Sequence, residues 1–132
     1  MARILVADDD SRQLELRARL LEASGHQVDV AFSPSEAMRQ LGSAEVVIMD
    51  LRFPNAQGQP DAAEGLKLIR QIRATGCRAP VIVISGWPED LESSPEAQLV
   101  SRVMVKPVGM AALLAAVAEL TTAASAPARN PL

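Results

Sequence analysis

Four short apolar runs, each ended by a polar residue, constrain this chain more than any other feature. They are ILVA before Asp8-Asp9, VVIM before Asp50, VIVI before Ser85 and VMV before Lys106. Runs of this length, rich in Val and Ile and apolar at consecutive positions, read as strands buried on both faces. Helical stretches separate them, which implies a right-handed βαβ series and a doubly wound three-layer α/β sandwich. In an open sheet of this kind, residues just past the carboxyl ends of the strands meet in one crevice. Three carboxylates, a hydroxyl and an ammonium would gather there. That set suits a divalent cation and a phosphoryl group.

The elements alternate along the chain. Residues 3–8 read as a strand and 11–24 as a helix, capped by Asp10 with Gln13 as its capping-box partner. In that helix Leu16 and Leu20 form an i, i+4 apolar pair, while Leu14 and Leu21 face elsewhere. Gly25 ends it, and 27–31 form the second strand. Ser33-Pro34-Ser35-Glu36 starts a helix running to about Leu41, with proline at its first position. A strand over 45–49 precedes a long polar loop. Leu66, Ile69 and Ile72 place a helix over 62–74, followed by a strand over 81–85. A short helix is expected within 89–101, then a strand over 102–106 and a final helix over 110–121. The folded unit is therefore 1–122, and 123–132 reads as a disordered tail or the start of a linker.

Composition narrows the classes. A length of 132 residues suits one domain with an ordinary core. A formal net charge of −3 does not suggest direct nucleic-acid or membrane binding. No apolar run approaches the ~20 residues of a membrane span, and the start lacks a secretory pattern, so a cytoplasmic location is expected. Cys77 is the only cysteine, which excludes a disulfide framework or a thiolate cluster; it reads as a loop or strand-edge residue. His26, in the turn before the second strand, is expected to face solvent.

An acidic pair after strand one, Asp50-Leu51-Arg52-Phe53-Pro54 after strand three, Ser85 after strand four and Lys106-Pro107 after strand five follow in a set order. That order resembles the receiver domain of two-component response regulators, the CheY-like superfamily, over residues 3–120. The resemblance implies a flavodoxin-like fold, with a five-stranded parallel sheet of order 2-1-3-4-5 and five helices. It implies a signalling phosphoacceptor rather than an enzyme. Asp50 would take a phosphoryl group from a histidine kinase or phosphotransfer protein, a carboxylate being a competent oxygen nucleophile. Mg²⁺ would be held by Asp9 and Asp50 directly, by Asp8 mainly through water and by the backbone carbonyl of Arg52. Lys106 would pair with Asp50 beforehand and with a phosphoryl oxygen afterwards, ahead of a cis bond to Pro107. Ser85 would donate to another phosphoryl oxygen, and Gly86 would let the backbone come close.

Four departures from the family pattern matter. The loop after Asp50 is longer than usual by Asn55-Ala56-Gln57-Gly58-Gln59-Pro60-Asp61, most simply a solvated excursion, alternatively a lid or partner contact. Val103 stands where receivers usually carry Tyr or Phe, and it is too small and stiff for the inward swing of such a ring. Arg52 and Trp87 occupy the positions that tune dephosphorylation in the family. Neither suits the orienting of an attacking water, so slow loss of the aspartyl phosphate is expected, with Trp87 as a shield. An aspartate-dependent phosphohydrolase is the enzymatic alternative, but it would want an acid where Arg52 stands. A pseudo-receiver that binds partners without phosphorylation is the other. No output domain follows, so an effector would act in trans or belong to a longer protein. A monomer or weak homodimer is expected, with the apolar final helix packed on the sheet.

Overall fold

The computed structural model describes residues 1–125. Its strands are β1 (Arg3–Ala7), β2 (Gln27–Ala31), β3 (Val46–Met49), β4 (Phe53–Pro54), β5 (Pro60–Asp61), β6 (Val81–Ser85) and β7 (Arg102–Val105). The α-helices are α1 (Ser11–Ala23), α2 (Pro34–Gln40), α3 (Ala62–Ala74), α4 (Glu89–Glu92) and α5 (Met110–Ser125). Five strands form a parallel sheet in the order β2-β1-β3-β6-β7. With the small β4–β5 pair set aside, this is the expected 2-1-3-4-5 arrangement.

The consecutive apolar runs are explained by burial on both faces. Leu5, Ala7, Val47, Met49, Val81 and Val83 point to one side and pack with Leu68, Ile69 and Ile72 of α3. Ile4, Val6, Val46, Ile48, Ile82 and Ile84 point to the other and pack with Leu14 and Leu21 of α1 and Val117 of α5. Period-two alternation thus divides each run between two cores. Helix α5 buries Leu113, Ala116 and Val117 on the sheet, so its apolar character is used in packing.

Local signals account for most boundaries. Asp10 Oδ1 accepts from Gln13 N at 3.2 Å, and Ser33 Oγ accepts from Glu36 N at 3.2 Å. Neither cap is reciprocated as a full capping box, since Asp10 N donates to Asp8 instead and Glu36 reaches back to Phe32 N. In α1 the inward residues are Leu14, Ala18 and Leu21, and the Leu16–Leu20 pair lies on the exposed face. Three expectations are corrected. The helix expected within 89–101 is two pieces, α4 and a 3₁₀ turn (Pro95–Leu99), because Ser93 and Ser94 bond back to the helix carbonyls and Pro95 starts a new turn. His26 is half-buried, its Nδ1 accepting from Ala2 N at 3.0 Å. The final helix runs to Ser125, past the expected end at 121, and the rest of the tail, 126–132, lies outside the described residues.

The long loop is exposed, as expected of a solvated excursion, but it has a defined shape. Phe53 pairs with Asp61 and Pro54 with Pro60, antiparallel. Asn55 Oδ1 accepts from Gln57 N and Gln59 N, its Nδ2 donates to Asp61, and Gly58 takes φ 78° at the tip. Asp61 then caps α3 by accepting from Ala63 N at 2.9 Å. Helix α3 begins hard against the end of β3. Gly65 N donates to Leu51 O at 3.0 Å, and a Cβ on Gly65 would lie 2.4 Å from that oxygen. Backbone cannot yield there as a side-chain tip would. Gly65→Ala is therefore expected to lower stability by about 1–3 kcal/mol through overpacking, measured by urea denaturation.

Candidate functional site

The ladder of the parallel sheet delivers the polar residues one step past each strand end. Asp8 N donates to Ala31 O at 3.1 Å, Asp50 N to Ala7 O at 3.1 Å, and Lys106 N to Ser85 O at 3.0 Å. Backbone pairing therefore fixes the heights of Asp8, Asp50, Ser85 and Lys106 at one edge of the sheet. Asp8, Asp9 and Asp50 each offer a carboxylate oxygen within 4.8 Å of the others. Asp8 is 1% exposed, Asp50 half-buried and Asp9 open to solvent. Hard oxygen donors in such a group fit a small divalent cation.

Three like charges this close repel strongly, by about 4 kcal/mol per pair at 4 Å and an effective dielectric of ~20. Among the described residues two cations stand against them. Lys106 Nζ lies 2.8 Å from Asp50 Oδ2 and 3.7 Å from Asp8 Oδ2. Arg17 Nη1, from α1, lies 3.5 Å from Asp8 Oδ2. Backbone amides orient the acids further: Asp8 Oδ1 accepts from Asp10 N at 3.0 Å, and Asp50 Oδ1 from Leu51 N at 2.6 Å. Burial nevertheless raises the Asp8 carboxyl above its ordinary 3.8, and the Asp10 amide and Lys106 offset this only in part.

The other motif residues border the cluster. Ser85 is fully buried, and its Oγ accepts from Trp87 N at 2.9 Å. Gly86 has open space around it, so nothing in this arrangement forbids a Cβ there. The Lys106-Pro107 peptide is cis, as the resemblance implied. Val103 is half-buried and packs on the α3 side of the sheet. Arg52 and Trp87, two residues past Asp50 and Ser85, meet: the guanidinium lies 3.8 Å from the indole centroid. Arg52 Nε also donates to Asp90 Oδ2 in α4 at 2.9 Å, making a three-residue bridge between the loops after β3 and β6.

Arg17 and Asp90 were not among the residues singled out from the sequence. Arg17 carried a legible signal, an arginine three residues after Leu14 and four before Leu21, on the buried stripe of α1. Asp90 carried none, because an acid in a first helical turn has an ordinary explanation in the helix dipole.

Comparison with known proteins agrees with this geometry. The model of the response regulator receiver domain family matches residues 4–118. The response regulator MprA of Mycobacterium ulcerans is 32% identical over 85 residues, covering 63% of this chain and 34% of that protein. The sensory/regulatory protein RpfC of Xanthomonas campestris is 32% identical over 123 residues, 89% of this chain and 16% of that one. The chain thus spans about a third or less of the length of these curated relatives. Among solved structures, the response regulator TrrA of Thermotoga maritima, in complex with Mg(2+)-BeF, has a TM-score of 0.77 and 26% identity, covering 91% of this chain and 99% of that one. A receiver domain protein from Clostridium thermocellum has a TM-score of 0.80 and 26% identity, covering 94% and 97%.

The raised carboxyl of Asp8 has a consequence for stability. A carboxyl whose folded-state value is raised favours folding at low pH and loses that contribution as pH rises through the raised value. Asp8→Asn removes the buried charge, so in magnesium-free buffer it is expected to be more stable than the wild type at neutral pH. The gap should close as pH falls toward the ordinary carboxyl range. Paired urea denaturations across that range check the sign.

Proposed function

The chain belongs to the response regulator receiver domain family of two-component systems, and we propose on that footing that Asp50 is its phosphoryl acceptor. The observation that carries the reading is Asp50 Oδ2 held 2.8 Å from Lys106 Nζ inside a cluster of three carboxylates. The donor is a phosphohistidine on a histidine kinase or phosphotransfer protein. A carboxylate oxygen of Asp50 attacks phosphorus, the new P–O bond forms as the P–N bond breaks, and the electron pair returns to an imidazole protonated on its other nitrogen. Asp9 and Asp50 directly, Asp8 through water and the Arg52 carbonyl would hold Mg²⁺, which when bound neutralises charge on the transferring group. Lys106 leaves its pairing with Asp50 for a phosphoryl oxygen. Ser85 donates to another, since accepting from Trp87 N leaves its hydroxyl proton to give.

The product is a shifted conformational population read by a partner, whether in trans or elsewhere in a longer protein. A cytoplasmic location fits, and among the described residues no helix is long and apolar enough to cross a membrane. A phosphohydrolase reading would want an acid at position 52, but Arg52 has only donors to offer and is paired with Asp90. Val103 keeps the pseudo-receiver reading worth testing.

One experiment separates the three. With Mg²⁺ and acetyl phosphate, intact-mass spectrometry is expected to find one phosphoryl group per chain, and beryllofluoride is expected to change the fluorescence of Trp87, the only tryptophan. Asp50→Asn should abolish both responses. Repeated turnover of phosphomonoesters would instead identify a hydrolase, and a chain that forms no adduct would be a pseudo-receiver.

Lifetime follows from the bridge beside the acceptor. Arg52 and Trp87 tune dephosphorylation by covering the site with groups that cannot accept a proton from water, so the aspartyl phosphate is lost slowly. Trp87→Glu removes the indole and adds an acceptor, and should hasten decay about tenfold, a barrier lower by about 1.4 kcal/mol. Slower or equal loss from the variant would refute the covering role.

A further inference from the structure

One cation enters the acidic cluster from outside the family motif. Arg17 lies in the middle of α1, three residues after Leu14 and four before Leu21, both fully buried. Helical spacing therefore directs its stem along the inward stripe of α1, and its guanidinium meets Asp8 Oδ2 at 3.5 Å with the side chain only 14% exposed. That oxygen also faces Lys106 Nζ at 3.7 Å, while Asp8 Oδ1 is taken by the Asp10 amide. Asp8 is thus balanced twice over before any metal arrives.

The two cations have different prospects. Lys106 is also bonded to Asp50, and a phosphoryl oxygen would draw it away. Arg17 is anchored on a helix, and an arginine stays charged at every physiological pH. With three carboxylates and two cations, the cluster carries one net negative charge, where the carboxylates and Lys106 alone would carry two. Salt screens exposed charges most, and a guanidinium only partly exposed is screened less but still in part.

We propose that Arg17 is a positioning residue that sets the magnesium affinity of the cluster. Its guanidinium takes up negative charge that the metal would otherwise neutralise, and so weakens the hold of Asp8, Asp9 and Asp50 on the ion. The inference rests on the reading of those acids as the magnesium site. It differs from a purely structural role in sign. A residue that merely holds Asp8 in place would loosen the site when removed, whereas a competing charge would tighten it.

Magnesium titrations followed by Trp87 fluorescence and by calorimetry, on the unphosphorylated full chain, test this. Arg17→Gln is expected to bind Mg²⁺ about tenfold more tightly than the wild type, about 1.4 kcal/mol. Arg17→Lys, which keeps the charge, should stay near the wild type, and the difference for Arg17→Gln should shrink as potassium chloride is raised. Equal or weaker binding by Arg17→Gln, beside a wild type that binds normally, overturns this inference alone. A wild type that takes up no magnesium, with Asp9→Asn behaving the same, overturns it together with the reading beneath it. Should Arg17→Gln not fold, the nitrogen-15 resonance of Arg17 Nε in the wild type serves instead. It should shift with the same midpoint as Trp87 fluorescence, and a resonance that stays still would overturn the proposal.

Discussion

Repulsion among Asp8, Asp9 and Asp50 is the constraint around which the upper edge of this molecule is organised. Their oxygens lie within 4.8 Å of one another, and one of the three side chains is almost wholly removed from solvent. Water cannot screen such a group, so the chain must bring compensating charge from elsewhere. Lys106 comes from the end of β7, a strand separated from β1 by two others in the sheet, and Arg17 from a helix. The site is consequently a meeting of distant segments. Its acids form an oxygen-rich group fit for a divalent ion, and the Lys106 ammonium lies 2.8 Å from one of them.

The sheet makes that meeting reliable. Each strand in the centre is buried on both faces, so polar side chains are excluded from its length and collect at its ends. Backbone hydrogen bonds then carry the ladder one residue further, setting Asp8, Asp50 and Lys106 at matching heights. Gly65 brings the first turn of α3 against Leu51, one residue from Asp50, so the loop after β3 is packed from behind. The Arg52–Trp87–Asp90 bridge ties that loop to the one after β6. Val103 packs on the α3 side of the sheet, and this bridge lies beside the loop that follows Asp50. The bridge gives α4 a direct electrostatic link to the loop that follows Asp50.

The sequence made some of this legible and hid the rest for physical reasons. Apolar runs and Gly or Pro punctuation located the strands, because they reflect local burial and backbone sterics. Period-based reading of α1 put Leu16 and Leu20 on a different face from Leu14 and Leu21 but left the inward face open, since an i, i+4 pair marks a face without saying which one is buried. The segment 89–101 broke in two because serine hydroxyls and Pro95 compete with helical hydrogen bonding at close range. The excursion after Asp50 closed into a hairpin through Asn55, whose single carbonyl bonds two amides across the turn. A polar composition alone does not distinguish such a loop from an open one.

By itself the sequence determined the α/β class, the parallel sheet and the identity of the motif residues, since these depend on periodicity, strand burial and residue chemistry at strand ends. Only the tertiary structure decided which charges share an oxygen. The approach of Arg17 to Asp8 and of Asp90 to Arg52 depends on helix rotation and loop path, which differ by a single side chain's reach and leave no periodic mark. Long-range electrostatics acts between residues far apart in the chain, and their distance exists only once the sheet has closed the space between them.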